Sequence, residues 1–273
     1  MKETPLPKLD MEKKMKEYMP SLFPLIGTRT FPWEKINEIV GNNFKDRLRE
    51  YNQLRNKKGA GAKLVIESNL FDIIVEARKG DPDAIRLFTF FDFLLKELNI
   101  YLPDKKKELI ISNLKGFLTN TDKNYRNYIG ELSVLNNCLK NGFELISIEH
   151  CLINGKKIDF HIIHTESKKA YLLEVVNIHY NDKKDYTDEI LIAEISGKLA
   201  MKLADKAKNL DIINFTLMPV IWANYSQLER IFSLQDKILN NTNSIFEPTA
   251  FCSYQDSMGE NVFKFGTISS LLV

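Results

Sequence analysis

Residues 157–176 read KIDFHIIHTESKKAYLLEVV, and this stretch decides the fold of the chain. Its two ends are apolar runs rich in β-branched and aromatic residues, and the polar letters ESKK between them are typical of a turn. The stretch therefore predicts two antiparallel strands, Lys157–Thr165 and Ala170–Ile178. Each predicted strand carries one carboxylate inside its apolar run, Asp159 in the first and Glu174 in the second.

The neighbouring segments extend this pattern on both sides. In chain order the sequence predicts a helix at Asn127–Asn141, a strand at Phe143–Leu152, the two strands above, a helix at Thr187–Asn209, a fully buried strand within Asp211–Ala223, a helix at Ser226–Leu239 and a late strand at Val262–Ile268. The tight turns make the first three strands antiparallel, and the connection through a helix makes the fourth parallel to the third. The order predicts an α/β fold with a mixed sheet.

The chain is expected to have two parts. Apolar residues at helical spacing predict a helical region over residues 1–120, and the pattern changes near Thr121. The sheet-containing domain is therefore predicted at 121–273. The N-terminal helices carry no motif that indicates a chemistry, so their role stays open at this point.

Composition excludes several classes of protein. The chain has 273 residues, of which 44% are apolar and 27% charged, as in soluble globular proteins. It contains no apolar run long enough to span a membrane and no apolar core of a secretory signal, so a cytoplasmic protein is expected. The three scattered cysteines indicate reduced thiols and no structural zinc. The net charge of +2 does not by itself indicate a nucleic-acid partner.

Asp159 and Glu174 are predicted to lie on one face of the sheet. A turn centred on Ser167 and Lys168 places Asp159 opposite Val176, so the two carboxylates become diagonal neighbours about 5–8 Å apart. In the same register Glu174 lies opposite His161. Burying ionised carboxylates is costly unless they are paired or bound to a metal. That spacing suits joint binding of a hard divalent cation such as Mg²⁺.

A third carboxylate, Glu131, is predicted on the apolar face of the helix that precedes the first strand. Tyr128 and Leu135 lie three residues before it and four residues after it, so all three share one stripe of the helix.

Together these residues resemble the PD-(D/E)XK, or restriction-endonuclease-like, nuclease superfamily. Its core runs helix, three strands, helix, strand, with a Glu on the first helix, a Pro-Asp on the second strand and an acidic-X-Lys triplet on the third. Glu131 matches the helix Glu, and Ile158-Asp159 matches the Pro-Asp position with Ile in place of Pro. Glu174-Val175-Val176 matches the triplet, but Val176 stands where Lys is expected. The resemblance covers about residues 125 to 225.

The resemblance implies a metal-dependent nuclease that hydrolyses phosphodiester bonds, with DNA as the expected substrate and endonucleolytic cleavage. Asp159, Glu174 and the backbone carbonyl of Val175 would bind Mg²⁺, or Mn²⁺ in its place. Glu131 would bind a second metal ion or orient water. Some members of the superfamily take the missing lysine from the second helix, which here offers Lys198 and Lys202.

The missing triplet lysine also supports an alternative. The chain would then be a catalytically impaired, nuclease-like protein that binds nucleic acid or mediates protein interactions. Lysines in the turns beside the strands are candidates for contact with a phosphate backbone: Lys156, Lys157, Lys168, Lys169, Lys183 and Lys184. The sequence leaves open DNA against RNA, cleavage specificity, pathway and homo-oligomer formation.

Overall fold

The computed structural model describes residues 10–41, 70–120, 124–152, 155–180, 186–207, 214–239 and 247–272. The chain divides into two units, of which the first comprises Met1–Asn99 with Ile111–Tyr128 and the second Ile100–Ile110 with Ile129–Val273. None of the described helices combines the length and the apolar character needed to cross a membrane.

The first half of the chain is helical wherever it is described. Its helices are α1 (Met11–Tyr18), α2 (Leu22–Ile26), α3 (33–41), α4 (Leu70–Arg78), α5 (Pro82–Tyr101), α6 (Asp104–Lys107), α7 (Ile111–Thr119) and α8 (Tyr125–Lys140). An aromatic cluster lies at the centre of the first unit. The ring of Phe91 lies 5.9 Å from that of Phe117 and 6.1 Å from that of Tyr125, both in edge-on geometry.

The second unit is built on a six-stranded mixed sheet whose spatial order follows the chain order. Its strands are β1 (Phe143–Cys151), β2 (Lys157–His164), β3 (Ala170–His179), β4 (Phe215–Asn224), β5 (Thr249–Gln255) and β6 (Asn261–Thr267). As predicted, β1 to β3 are antiparallel, β4 is parallel to β3, and a late strand is present. The sequence interpretation missed β5, whose buried run is too short to distinguish from other apolar segments.

The remaining helices are α9 (Asp188–Ala207), α10 (Tyr225–Ser233), α11 (Gln235–Leu239) and α12 (Ile268–Leu271). The predicted single helix Ser226–Leu239 is therefore wrong, because the chain leaves helical geometry at Leu234, which has φ −105° and ψ 1°. The predicted end of α9 at Asn209 and the Asn154 half of the predicted hairpin turn lie outside the described residues.

The helices α8 and α9 lie against opposite faces of β3. Leu191, Ile195 and Leu199 of α9 pack with Val176 and Ile178 of β3 in one buried cluster. Successive side chains of a strand point to opposite faces, so Asn177 faces away from α9.

That opposite face carries α8. A methyl group built on Gly130 of α8 would lie 2.0 Å from Asn177 Oδ1, so the helix approaches the strand at the distance that glycine allows. Asn177 Oδ1 also accepts a hydrogen bond of 3.1 Å from Trp222 Nε1, which holds the amide in place.

Gly130→Ala is expected to lower the free energy of unfolding by about 1–3 kcal/mol, because the added methyl overpacks this contact. Gly197→Ala on α9 is the matched control, since nothing lies within 4 Å of its added methyl. The control is expected to be neutral or stabilising by up to about 1 kcal/mol. Urea unfolding of both variants measures the difference, and equal stability of the two would show that α8 does not need a glycine here.

Candidate functional site

The register of the β2–β3 hairpin differs from the predicted one by two residues. Phe160 pairs with Leu173 and His161 with Leu172, so the predicted pairing of Glu174 with His161 is wrong. The pairing of Asp159 with Val176 is wrong for the same reason. The shift arises because the turn comprises residues 165 to 168 and is centred on Glu166 and Ser167. The N–H of His164 donates to the carbonyl of Lys169, and Lys168, with φ 56°, is the last residue of the turn. A shift of two residues keeps every side chain on its face and brings Asp159 level with Glu174.

The two strands separate at these two residues. Pairing between β2 and β3 ends at Phe160 and Leu173; beyond that point β3 pairs with β4 and β2 with β1. We call this place, between Asp159 of β2 and Glu174 of β3, the fork. Each arm of the fork carries one carboxylate at the point where the backbone pairing ends.

Asp159 is fixed by the backbone of the other arm. Its Oδ2 accepts a hydrogen bond of 2.7 Å from the N–H of Val175. The N–H and C=O of one strand residue point to the same side of the strand, so the Val175 carbonyl is also directed toward the arm that carries Asp159. The fork thus gathers two carboxylates and one backbone carbonyl.

Glu174 is buried on the face that α9 covers. Its Oε1 accepts a hydrogen bond of 2.9 Å from Lys202 Nζ and lies 3.3 Å from Lys206 Nζ. Its Oε2 is buried and has no hydrogen-bond partner among the described residues. A buried carboxylate oxygen without a partner is costly, and this one is available to a further ligand.

The fork perturbs the proton affinities of its groups. Burial and the nearby charge of Glu174 raise the pKa of Asp159 from its ordinary value to about 7, against the opposing effects of the Val175 N–H and the two lysines. Burial opposes the charged form of Lys202, yet the hydrogen bond to Glu174 and its charge raise the pKa of Lys202. Carboxyl groups with a pKa as strongly shifted as that of Asp159 are found preferentially at functional sites.

Asp159 should make the stability of the metal-free protein depend on pH. A carboxyl whose pKa is raised on folding stabilises the folded state below the ordinary pKa, and that contribution is lost as pH rises through about 7. Asparagine does not titrate, so the free energy of unfolding of Asp159→Asn, relative to that of wild type, is expected to rise by about 2 kcal/mol when the pH is raised from 5 to 8. Thermal unfolding in EDTA measures the change, with the exposed Glu149→Gln as control. An equal difference from wild type at both pH values would contradict the shifted pKa.

The candidate residues lie at different distances from the fork. Lys202 contacts Glu174. Lys198 is exposed one turn earlier on α9 and is not among the described contacts of Glu174. Glu131 is half-buried on α8, and its charge contributes to the raised pKa of Lys202. Among the described residues, no three His, Cys, Asp or Glu side chains gather in a way that could hold a metal ion. The predicted role of Glu131, to bind a second metal ion or orient water, stays a prediction.

The sequence interpretation missed Lys206. It lies four residues after Lys202 and seven after Leu199, so it continues the stripe of α9 that faces the sheet. Its ammonium also donates a hydrogen bond to the backbone carbonyl of Lys157 at the start of β2. A lysine that follows a buried helical stripe toward a strand carboxylate was the signal that could have found it.

Two of the turn lysines are engaged with carboxylates. Lys156 forms an ion pair with Asp205, and Lys157 forms one of 2.6 Å with Glu149. Lys169 lies over the ring of Tyr171, with Nζ 5.3 Å from its centroid. The predicted contacts at Lys183 and Lys184 lie outside the described residues.

The donors at the fork fit a hard divalent cation. Carboxylate and carbonyl oxygens are the ligands that Mg²⁺ prefers, and Mg²⁺ commonly uses one or two protein carboxylates and keeps waters. The partnerless Glu174 Oε2 is a donor of this kind.

Comparisons with protein-family models, with curated proteins and with solved structures find no match for the chain.

Proposed function

We propose that this protein is a metal-dependent nuclease of the PD-(D/E)XK type, which hydrolyses phosphodiester bonds of DNA. The observation that carries the proposal is the fork, where Asp159 and the buried, partly unsatisfied Glu174 meet beside a lysine from α9. The element order from α8 to β4 agrees with that superfamily.

Asp159, Glu174 and the Val175 carbonyl are the residues that would hold Mg²⁺ or Mn²⁺. When bound, the ion supplies Lewis-acid polarisation of the phosphate and lowers the pKa of a water. In the hydrolysis, the oxygen of water forms a bond to phosphorus and the bond from phosphorus to the leaving oxygen breaks. The products are a phosphate monoester and a free hydroxyl group.

Lys202 provides the cation that the triplet position lacks. Val176 is buried against α9, so a lysine there would have to leave the core to reach solvent or substrate. The ammonium of Lys202 instead comes from α9 and meets the same carboxylate from the helix side. There it can neutralise the charge that develops on the phosphate in the transition state. Glu131 acts on Lys202 through its charge, which favours the ammonium form.

Cleavage of plasmid and single-stranded DNA with Mg²⁺ or Mn²⁺ tests the proposal. Asp159→Ala is expected to lower cleavage more than about 100-fold, because it removes one of the two fork carboxylates. Asp236→Ala removes an exposed carboxylate on α11 and should cleave like wild type. Equal cleavage by Asp159→Ala and wild type would overturn the proposal.

The ion pairs at Glu174 also suit the alternative of a binding module, because two lysines already neutralise the carboxylate. Salt-dependent binding of DNA without cleavage under either cation would favour that alternative. Binding is measured as fluorescence anisotropy of labelled duplex and single-stranded DNA over a range of salt concentrations.

A further inference from the structure

Lys206 holds Glu174 as part of a rigid connection. Its Nζ lies 3.3 Å from Glu174 Oε1, and its side chain is 12% exposed. The same ammonium donates to the backbone carbonyl of Lys157. Lys206 therefore ties α9 to both arms of the fork, to β2 through Lys157 and to β3 through Glu174.

A second contact fastens the same end of α9. Lys156 Nζ donates a hydrogen bond of 3.2 Å to the backbone carbonyl of Asp205 and pairs with its carboxylate. The last turn of α9 is thus attached to the start of β2 on two sides. Moving Lys206 away from Glu174 would require breaking this attachment.

Lys202 holds Glu174 in a looser way. Its Nζ lies 2.9 Å from Glu174 Oε1, but its side chain is 46% exposed, compared with 2% for Glu174. In the described part of the chain its ammonium has no other hydrogen-bond acceptor. An ammonium carries three donors, so two of them have no acceptor in the described part of the chain.

We propose that Lys202 is the exchangeable counter-ion of Glu174 and that Lys206 is the permanent one. In the metal-free protein, the Lys202 ammonium is hydrogen-bonded to Oε1 of the carboxylate whose Oε2 the divalent cation would take, so the two positive charges compete for one carboxylate. Cation binding releases the Lys202 ammonium from Glu174, while Lys206 keeps the carboxylate in place. This inference rests on the proposed function, because it takes the fork as the cation site.

Calorimetric titration of Mn²⁺ into the full chain, without nucleic acid, tests the exchange. Lys202→Met is expected to bind Mn²⁺ about three- to fivefold more tightly than wild type, the effect of removing a half-exposed ion pair. Lys198→Met loses the same charge from the exposed side of α9 and should change the affinity less than about twofold. Lys206→Met keeps Lys202, which competes with the cation, but loses the contacts of Lys206 with Glu174 and with the Lys157 carbonyl. This variant should therefore bind Mn²⁺ no more tightly than wild type and unfold at a lower temperature.

A second measurement covers the case in which Lys206→Met does not fold. The ¹⁵Nζ resonances of lysine ammonium groups are recorded in wild type with and without Mg²⁺, and assigned with Lys202→Arg and Lys206→Arg. The Lys202 signal is expected to shift or broaden on Mg²⁺ addition, while the Lys206 signal stays in place.

The outcomes separate this inference from the nuclease proposal. Suppose that wild type cleaves DNA but Lys202→Met binds Mn²⁺ no more tightly than Lys198→Met. This result overturns the proposed exchange of Lys202 and leaves the nuclease proposal standing. If Lys202→Met binds Mn²⁺ more tightly but wild type cleaves no DNA, the proposed exchange is supported and the nuclease proposal is overturned. Equal tightening in Lys202→Met and Lys206→Met overturns the division of roles, and no Mn²⁺ binding by any form overturns both proposals.

Discussion

Glu174→Gln is expected to lower DNA cleavage more than about 100-fold, which exceeds the loss typical of residues that only support a metal ligand. The substitution keeps the size of the side chain and one oxygen acceptor for Lys206, but it removes the charge that a divalent cation needs. Cleavage of plasmid DNA per folded molecule measures the effect, and Mn²⁺ affinity is expected to fall in parallel.

The matched control is Glu149→Gln, which removes a surface carboxylate paired with Lys157. Such exposed pairs contribute about 0–1 kcal/mol, so this control should keep both stability and cleavage. Glu174→Gln is expected to cost about 1–3 kcal/mol of stability, because Lys206 loses its counter-charge while it is largely buried. A folded Glu174→Gln that cleaves within about threefold of wild type would contradict the assigned role.

Lys202→Met is expected to lower cleavage about 100- to 1,000-fold, the loss typical when one preorganised group that stabilises transition-state charge is removed. Methionine keeps the aliphatic stem and removes the ammonium alone. Single-turnover cleavage at saturating Mn²⁺ isolates this effect from any change in cation affinity, which we expect to rise in the same variant.

Lys202→Arg separates charge from geometry in the same assay. An arginine keeps the positive charge on a longer, planar group, so intermediate cleavage between wild type and Lys202→Met is expected. Lys198→Met, on the exposed side of the same helix, tests the other lysine that the sequence offered. A larger loss in Lys198→Met than in Lys202→Met would reverse the assignment of the two lysines.

The order of the elements from α8 to β4 and the directions of their strands followed from the sequence. Alternating and continuous apolar runs, separated by polar turns, are local signals that a single chain displays. The buried β4 was predicted for the same reason, since its apolar run has no alternation. The break between α10 and α11 at Leu234 and the strand β5 have no comparable local signal, and both were missed.

The register of the hairpin needed the structure because it depends on the backbone conformation of one turn residue. Lys168 takes the left-handed conformation as the last residue of a turn centred on Glu166 and Ser167, and a lysine side chain does not favour that conformation. The prediction that Asp159 and Glu174 share a face of the sheet stayed correct, because a register shift of two residues leaves every side chain on the same face. The lysines of α9 that contact Glu174 could be identified only from the way the helix packs on the sheet.

The sequence by itself determined which residues form the strands and that two carboxylates lie in apolar runs on one side of a hairpin, because these properties depend on local periodicity. Only the tertiary structure decided that β2 and β3 separate at Asp159 and Glu174, and that Lys202 and Lys206 meet Glu174 there. These contacts join residues up to 32 positions apart, so they arise from the docking of α9 on the sheet and carry no signal in local sequence.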